Sequence, residues 1–354
     1  MTPISRRTFA AQSAAALAVP WLMPPRRKIK LGFDNFAVRA MGWKADELLD
    51  YAAAQKVDVL FLTDLDCYKN HEEAYLKDLK KKGDDLGVAI YAGSWSICPT
   101  SSRFKNNWGT AEEHLRLVLK VAKAVGSPVA RVVLGSGEDR LKGGGIEAHI
   151  AETVKVCKAV KAQAVDAGVK ITIENHAGDM QSWELAGLIE EAGKDFVGAN
   201  MDSGNAVWAL EDPQANLETL GAYTASTSLR DSAVWETPEG CTVQWTAMGD
   251  GQVDWKAYVA KYAELCPTAP FMIETISGFN RPFPYLKPEF WKAWPKVRGH
   301  EFARFVAFAK RGKPRDAWKA PAGVDKKKAE QDFQKTDLER SLAYCRETLG
   351  LGTR

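Results

Sequence analysis

Residues 57–63 read Val-Asp-Val-Leu-Phe-Leu-Thr, a short and largely apolar run that is typical of a strand covered on both faces. Similar runs recur at 88–93 and 129–135, and helical patterns lie between them. The clearest helical pattern spans 111–125, with apolar residues along one stripe. Beyond these runs, further strands are predicted at 29–34, 169–175, 196–202, about 223–230 and 271–274. The chain therefore contains eight predicted strands that alternate with helices.

Eight strands separated by helices predict an α/β fold, a (β/α)8 barrel over residues 29–310 with its site at the C-terminal ends of the strands. The alternative is a doubly wound sheet, whose first strand-to-helix turn normally carries a glycine-rich phosphate-binding motif. Residues 32–35, which end the first predicted strand, read Gly-Phe-Asp-Asn and are no such motif. The barrel is therefore favoured, although a length of 354 residues alone would also allow two domains.

Two segments are longer than ordinary strand-to-helix loops. They cover 232–252 after the seventh predicted strand and 276–297 after the eighth. The second is rich in aromatic residues and prolines, which indicates a long loop that packs on itself over the site.

Residues 311–354 form a predicted C-terminal extension. Thr336 and Glu339 have the spacing of a capping box, and apolar residues follow them at helical intervals. We therefore expect a docked terminal helix that starts near Thr336 and ends at Gly350.

The composition is that of a globular protein and excludes several classes. Hydrophobic residues make up 45% and charged residues 26% of the chain, which argues against a disordered protein and a membrane bundle. The formal net charge is only +3, so no nucleic-acid partner is expected. The six cysteines form no C-x-x-C pair, which excludes a redox or zinc-knuckle motif and predicts mostly free, buried thiols.

The N-terminus contains a paired arginine. Residues 5–9 read Ser-Arg-Arg-Thr-Phe, and a small apolar run follows over 10–22. That run is too short to span a bilayer, for which about 20 apolar residues are needed, so no stable membrane anchor is expected. The pattern resembles a twin-arginine signal. Residues 1–28 are thus interpreted as a signal peptide and linker, which predicts the twin-arginine export machinery as a partner and a periplasmic or otherwise exported protein.

Acidic side chains close three of the predicted strands. The fifth strand ends in Glu174-Asn175-His176, where alternation places Glu174 and His176 on one face. The sixth ends at Asp202 and the eighth at Glu274. Converging carboxylates repel one another unless a cation neutralises them or some are protonated. Oxygen ligands favour Mg²⁺ or Mn²⁺, and Zn²⁺ becomes possible if an imidazole joins them.

Several motifs occur in a fixed order between residues 29 and 310. They read Ile-Glu-Asn-His-Ala-Gly at 173–178, Val-Gly-Ala-Asn-Met-Asp-Ser-Gly-Asn at 197–205, Ser-Leu-Arg-Asp at 228–231, Gly-Asp-Gly at 249–251, Val-Asp-Trp at 253–255 and Ile-Glu at 273–274. This ordered set resembles the sugar phosphate isomerase/epimerase superfamily, which has a xylose-isomerase-like barrel. The resemblance implies one divalent metal ion held by a strand-five Glu, a strand-six Asp, a strand-seven His and a strand-eight Glu.

Carried over residue by residue, the implied metal ligands are Glu174, Asp202, Ser228 and Glu274. The two glutamates are also the implied catalytic residues. Ser228 departs from the family pattern, because a neutral hydroxyl is a weaker ligand than the usual imidazole. His176 and Asp231 are the alternatives for completing the site, although Asp231 has the opposite strand parity to Ser228.

In the reaction that the resemblance implies, one glutamate removes a proton beside a sugar carbonyl and the other returns one, while the metal stabilises the enediolate. Arg230 is expected to stabilise oxyanion charge, and Asn205 and His176 to contact the substrate. Because export makes a phosphorylated substrate a poor candidate, we expect an isomerase or epimerase of an unphosphorylated sugar, keto-sugar or glycoside derivative.

Three other functions use related features. The same enediolate can expel a leaving group, so a keto-glycoside lyase or hydrolase would need the same carboxylates. A non-catalytic sugar-binding barrel would account for the serine at position 228. An abasic-site endonuclease on a related metal barrel would need more histidines and a basic groove, neither of which is visible in the sequence.

The twelve tryptophans are unevenly distributed. Seven follow the C-terminal ends of predicted strands, namely Trp95, Trp108, Trp208, Trp235, Trp245, Trp291 and Trp294. Because indole rings combine a large apolar face with a polar edge, they suit the walls of a carbohydrate site. Trp95 and Trp235 are the expected sugar contacts.

Overall fold

Eight short strands form one parallel sheet in the computed structural model of the chain, which describes residues 29–354. The predicted signal peptide and linker at 1–28 lie outside the described residues. Three further strands, β8, β9 and β11, form a separate sheet. In chain order the strands within residues 29–354 are β1 (Leu31–Asp34), β2 (Val59–Leu62), β3 (Ala89–Ser96), β4 (Val129–Val133), β5 (Lys170–Glu174), β6 (Val197–Met201), β7 (Thr224–Thr227), β8 (Asp231–Thr237), β9 (Gly240–Thr246), β10 (Phe271–Ile273) and β11 (Asn280–Phe283).

The parallel sheet closes on itself. Its order is β10-β1-β2-β3-β4-β5-β6-β7, so neighbours in the sheet are successive βα units. The two ends meet just beyond β7, where Leu229 pairs with Ile273. There the Leu229 N–H donates to the Met272 carbonyl at 2.7 Å. This arrangement confirms the (β/α)8 barrel and excludes the doubly wound sheet.

Helices connect the strands and cover the outside of the barrel. They are α1 (Ala45–Ala54), α2 (Glu73–Leu86), α3 (Ala111–Val125), α4 (Ile146–Ala159), α5 (Lys161–Ala167), α6 (Ser182–Ala192), α7 (Ser203–Trp208), α8 (Pro213–Leu220), α9 (Trp255–Leu265), α10 (Gly299–Lys310) and α11 (Lys326–Glu347). None of the helices within residues 29–354 is long and apolar enough to cross a membrane.

Helix α3 shows why the sequence pattern is a reliable guide here. The Thr110 hydroxyl accepts the Glu113 N–H at 3.2 Å, and the Glu113 carboxylate accepts the Thr110 N–H at 2.8 Å, which forms a capping box. The helix ends at Gly126, whose φ of 74° is a left-handed conformation that glycine adopts without steric cost. The observed bounds match the prediction.

The two long segments contain more order than expected, since β8, β9 and β11 form a three-stranded antiparallel sheet in order β11-β9-β8. β8 and β9 are a hairpin in which Thr237 pairs with Gly240, and Asn280 on β11 pairs with Gln244 on β9. The sequence indicated long segments at these positions but not the sheet that they form. The pairing between β9 and β11 joins segments far apart in the sequence, so no short-range sequence pattern predicts it.

The terminal helix α11 begins ten residues before the predicted start. Asp325 is its N-cap and accepts the Lys328 N–H at 2.9 Å, whereas Thr336 lies in the middle of the helix. The cap at Asp325 precedes a polar first half, so the apolar pattern begins only in the second half. The helix docks as predicted, with Leu338 and Leu342 fully buried. All six cysteines are free and buried, as expected.

The docking of α11 yields a stability prediction. Leu338→Ala should lower the free energy of unfolding by about 2–5 kcal/mol, because it removes fully buried methyl groups and leaves a cavity. Leu286→Ala is the matched control, since Leu286 is 66% exposed and its loss should cost less than about 0.5 kcal/mol. Urea denaturation followed by circular dichroism measures both values. Equal values would mean that α11 does not contribute to the core.

Candidate active site

The three predicted carboxylates converge at the C-terminal end of the barrel. Glu174 is the last residue of β5, Asp202 follows β6 directly, and Glu274 follows β10 directly. All three are buried, and one oxygen from each lies within 4.8 Å of the others. A fourth carboxyl, Asp34 at the end of β1, is also fully buried. Its position at a strand end was the same signal as in the other three, but sequence reasoning missed it.

Arg131 neutralises Glu174. It lies in the middle of β4, is only 4% exposed, and places Nε and Nη2 each 2.7 Å from Glu174 Oε2. Its Nη1 donates to the Ser94 carbonyl at 2.9 Å. Sequence reasoning missed this residue as well. The available signal was a charged side chain inside the otherwise apolar strand Val-Ala-Arg-Val-Val, which is expensive to bury without a partner.

Arg230 bridges the other two acids. It follows β7, is 1% exposed, and directs Nη2 to both Asp202 Oδ2 and Glu274 Oε2. Its guanidinium carbon lies 4.3 Å from the centre of the Trp245 ring. The sequence predicted a substrate contact for Arg230. The structure places it at the wall of the cavity described below and also between two predicted metal ligands.

Two asparagines complete the carboxylate network. Asn205 Nδ2 donates to Asp202 Oδ2 at 2.5 Å and to Glu174 Oε1 at 3.2 Å. Asn200 Nδ2 donates to Glu174 Oε2 at 2.7 Å. Asp202 also caps α7, because its Oδ1 accepts the N–H groups of Gly204 and Asn205. These bonds fix the acids of β5 and β6 relative to each other.

The Ser228 hydroxyl is already hydrogen-bonded to two groups outside the acidic triad. Its hydroxyl donates to Asp34 Oδ2 at 3.3 Å and accepts from Asn200 Nδ2 at 3.1 Å. The alternative Asp231 is engaged elsewhere, since it accepts the N–H groups of Gly249 and Gly251 at 3.1 and 3.0 Å. Asp231 thus organises the loop before α9, and it is not part of the acidic triad found within residues 29–354.

His176 lies at the edge of the network and lines the cavity. Its Nδ1 is 2.6 Å from the Gly135 carbonyl, and a carbonyl can only accept, so Nδ1 carries the proton and Nε2 is the acceptor in the neutral ring. Removal from water lowers the pKa of His176 to about 4. The imidazole is therefore neutral near pH 7. Within the described residues, the acidic triad that gathers at the barrel mouth does not include it.

Burial has the opposite effect on the carboxyls, because it disfavours their charged forms. It raises the pKa of Asp202 to about 7 and that of Asp34 to about 6. The pKa of Glu274 is also raised well above its ordinary value by burial, against the opposing effect of Arg230. The pKa values of Asp202 and Asp34 thus lie close to neutral pH, where a carboxyl is suited to accept and donate protons.

A cavity of about 150 Å³ opens above this network. Its walls are Phe36, Thr63, Trp95, Arg131, His176, Ala177, Asn205, Trp208, Arg230, Trp245, Glu274 and Ile276. The predicted contacts Trp95, His176, Asn205 and Arg230 therefore lie together. Trp235, the other predicted contact, is a buried residue of β8 and does not line this cavity. Trp208 and Trp245, stacked at 4.0 Å, form the second aromatic wall instead.

A parallel (β/α)8 barrel with acidic groups at four strand ends and an aromatic-walled cavity defines the class of the protein. A sequence profile of the family described as "Xylose isomerase-like TIM barrel" matches residues 37–288, which is more than half of the chain. The chain belongs to this family. No curated protein matches the sequence.

Solved structures share the fold at low sequence identity. A xylose isomerase domain protein from Planctomyces limnophilus is 18% identical with a TM-score of 0.54, covering 71% of this chain and 92% of its own. D-psicose 3-epimerase, solved in the presence of D-fructose, is 16% identical with a TM-score of 0.58 and coverages of 91% and 100%. The IOLI protein with a bound zinc atom is 16% identical with a TM-score of 0.56 and coverages of 81% and 100%.

The donor set tests whether the implied metal ion fits this chain. The spacing of Glu174, Asp202 and Glu274 is one that can hold a cation. The rest of the set does not fit, because Ser228 is hydrogen-bonded to other groups and Arg230 already contacts two of the three acids. We therefore derive no step of a reaction through a metal ion.

The buried ion pair at Arg131 can be tested. Arg131→Leu should lower the free energy of unfolding by about 3–5 kcal/mol, because it leaves the Glu174 carboxylate buried without its cation. The control is Arg103→Leu, since Arg103 pairs with Glu138 at the surface, where the two side chains are 52% and 61% exposed. That substitution should cost less than about 1 kcal/mol. Urea titration gives both values, and similar losses would contradict the buried pairing.

Proposed function

We propose that the protein is a sugar isomerase or epimerase that acts on an unphosphorylated sugar, keto-sugar or glycoside derivative by moving a proton next to a carbonyl. The observation that carries this proposal is the cavity wall, where the Glu274 carboxyl lies beside the guanidinium groups of Arg131 and Arg230. Proton abstraction beside a carbonyl needs a base close to positive charge, because the charge stabilises the enolate oxygen that forms.

The two glutamates are not equivalent in this site. Glu274 lines the cavity itself, whereas Glu174 is reached through its partners Arg131 and Asn205, both of which line the cavity. We assign Glu274 as the group that exchanges a proton with the substrate directly. Glu174 is the second proton carrier, as the resemblance implies, and it also holds Arg131 and Asn205 in place.

Aromatic walls and neutral hydrogen-bonding groups support a carbohydrate ligand. Trp95 lines the cavity and is fixed by a 3.1 Å hydrogen bond from its Nε1 to Asp64. Asn205 and the neutral His176 offer contacts for hydroxyl groups. Two structural neighbours are D-psicose 3-epimerases, solved with D-fructose and with D-tagatose. The predicted export of the chain supports an unphosphorylated member of this substrate class.

Proton exchange tests the reaction. Purified protein is incubated in D₂O with D-fructose, D-psicose, D-tagatose and 3-keto-glycosides, and NMR follows deuterium beside the carbonyl. The wild type should exchange at least one of these sugars. Glu274→Gln should slow that exchange by at least about 100-fold, because a general base typically contributes this much. Glu174→Gln should also abolish turnover.

Glu138→Gln provides the control for these variants. Its side chain is 61% exposed and follows β4 at the same end of the barrel, so its exchange rate should equal that of the wild type. Exchange without bond cleavage supports an isomerase or epimerase. Cleavage to an unsaturated keto-sugar would show instead that the protein is a lyase. Sugar binding without any proton exchange would show that the protein is a non-catalytic sugar-binding barrel. Full activity of Glu274→Gln would refute the role of Glu274.

Export is the second part of the proposal, and it is supported by the sequence of residues 5–22. Changing both Arg6 and Arg7 to Lys in the full chain should retain the protein in the cytoplasm, because the twin-arginine receptor reads both guanidinium groups. The matched control changes the second pair, Arg26 and Arg27, which follows the apolar run and should leave export intact. Cell fractionation and immunoblotting measure the outcome. Equal export of both variants would contradict a twin-arginine signal.

A further inference from the structure

The Arg230 guanidinium occupies the space between two carboxylates of the acidic triad. Its Nη2 is in contact with both Asp202 Oδ2 and Glu274 Oε2. Arg230 is 1% exposed, and such a charge is tolerated only when opposite charges lie against it. A cation that belongs to the chain therefore already bridges these two acids.

The fold provides a fitted cradle for this side chain. A Cβ added to Gly204 would lie 2.3 Å from Arg230 Cγ and 2.5 Å from its Cδ, so only glycine leaves room for the Arg230 stem. Trp245 covers the guanidinium plane from the other side. The Trp245 ring is itself held by a 2.8 Å hydrogen bond from Nε1 to the Gly204 carbonyl. The position of Arg230 is thus built by three separate segments, β7, α7 and β9.

The carboxylate oxygens of Asp202 and Glu174 already have donors from the chain. Asp202 Oδ1 accepts two backbone N–H groups of α7, and its Oδ2 accepts from Asn205 and the bridging guanidinium. Glu174 Oε2 accepts from Arg131 and Asn200. An incoming ion would have to displace these donors, and a guanidinium removed from its acids would stay buried without a partner.

Ser228, the fourth implied metal ligand, also makes hydrogen bonds within the chain. The Ser228 hydroxyl uses its proton towards Asp34 and a lone pair towards Asn200. These two hydrogen bonds leave the hydroxyl one lone pair, and a neutral hydroxyl is in any case a weaker ligand than an imidazole.

The other two guanidinium nitrogens of Arg230 make no hydrogen bonds to the described residues. Its Nε and Nη1 are buried and have no hydrogen-bond partner within residues 29–354. Its position is therefore fixed by the two acids and by Trp245, and not by a full set of hydrogen bonds. Arg230 also lines the cavity, so its guanidinium lies next to any ligand bound there.

We infer that Arg230 is the resident cation of this site and that it takes the place of a divalent ion beside Asp202 and Glu274, while Arg131 neutralises Glu174. The native chain then holds no stoichiometric metal there. Under the proposed function, the guanidinium also supplies the positive charge for the developing oxyanion. Only this last role rests on the proposed function, because metal content can be measured without any substrate.

Metal binding by the full chain tests the inference. Metal content after purification is measured by mass spectrometry, and Mn²⁺ and Zn²⁺ are titrated by calorimetry into EDTA-treated, dialysed protein. The wild type should contain no stoichiometric ion, and its melting temperature should not respond to EDTA or to excess Mn²⁺. The double variant Ser228→His/Arg230→Gln should gain about one ion per chain and at least about tenfold higher affinity, because it restores an imidazole and removes the competing cation.

Two further variants serve as controls. Arg230→Lys keeps a positive charge and should remain free of metal. Arg281→Gln removes another arginine stacked on a tryptophan, 3.8 Å from the centre of the Trp208 ring, and should leave metal content unchanged. One tightly held ion per wild-type chain, or a melting temperature that EDTA lowers, would overturn the inference. A folded double variant that binds no metal would also overturn it, and if circular dichroism shows it unfolded, the wild-type measurement decides alone.

Discussion

Four carboxyl groups buried at one end of a barrel are the constraint on which this structure depends. Asp34, Glu174, Asp202 and Glu274 all close strands of the parallel sheet, and their mutual repulsion has to be offset inside the protein. The guanidinium groups of Arg131 and Arg230, together with neutral hydrogen-bond donors, offset this repulsion. The donors come from neighbouring strands and helices, so the electrostatic requirement also fixes the relative positions of the βα units.

This requirement extends beyond the barrel. Trp245, which covers Arg230, belongs to β9 of the small antiparallel sheet, and its indole is anchored on α7. Trp208 at the end of α7 stacks on Trp245, and Phe279, just before β11, packs against both rings. The antiparallel sheet therefore acts as a wall of the cavity and as a support for the buried cation. The segments after the seventh and eighth barrel strands are long because they build this wall.

The sequence was informative where the controlling physics is local. Strand positions, the bounds of α3 and the three acids at strand ends follow from hydrophobic runs, caps and turn positions within a few residues. The partners of these acids could not be predicted in the same way. Arg131 meets Glu174 only because β4 pairs with β5, and β11 meets β9 only after the chain has returned across the barrel mouth. Trp235 lies outside the cavity lining, and its position depends on strand parity inside a sheet that the sequence did not indicate.

Ser228 and Arg230 are best understood together. They are two residues apart just beyond β7, so the alternation of an extended chain places both on one side, while the intervening Leu229 enters the hydrophobic core. A serine is a weaker ligand than an imidazole, so it would hold a divalent ion less tightly, and without that ion the three converging carboxylates need another source of positive charge. A guanidinium two residues further along the same extended segment supplies that charge from within the chain. If Arg230 is the resident cation, as we infer, the serine at position 228 and the ion contacts of Arg230 are two parts of one electrostatic solution.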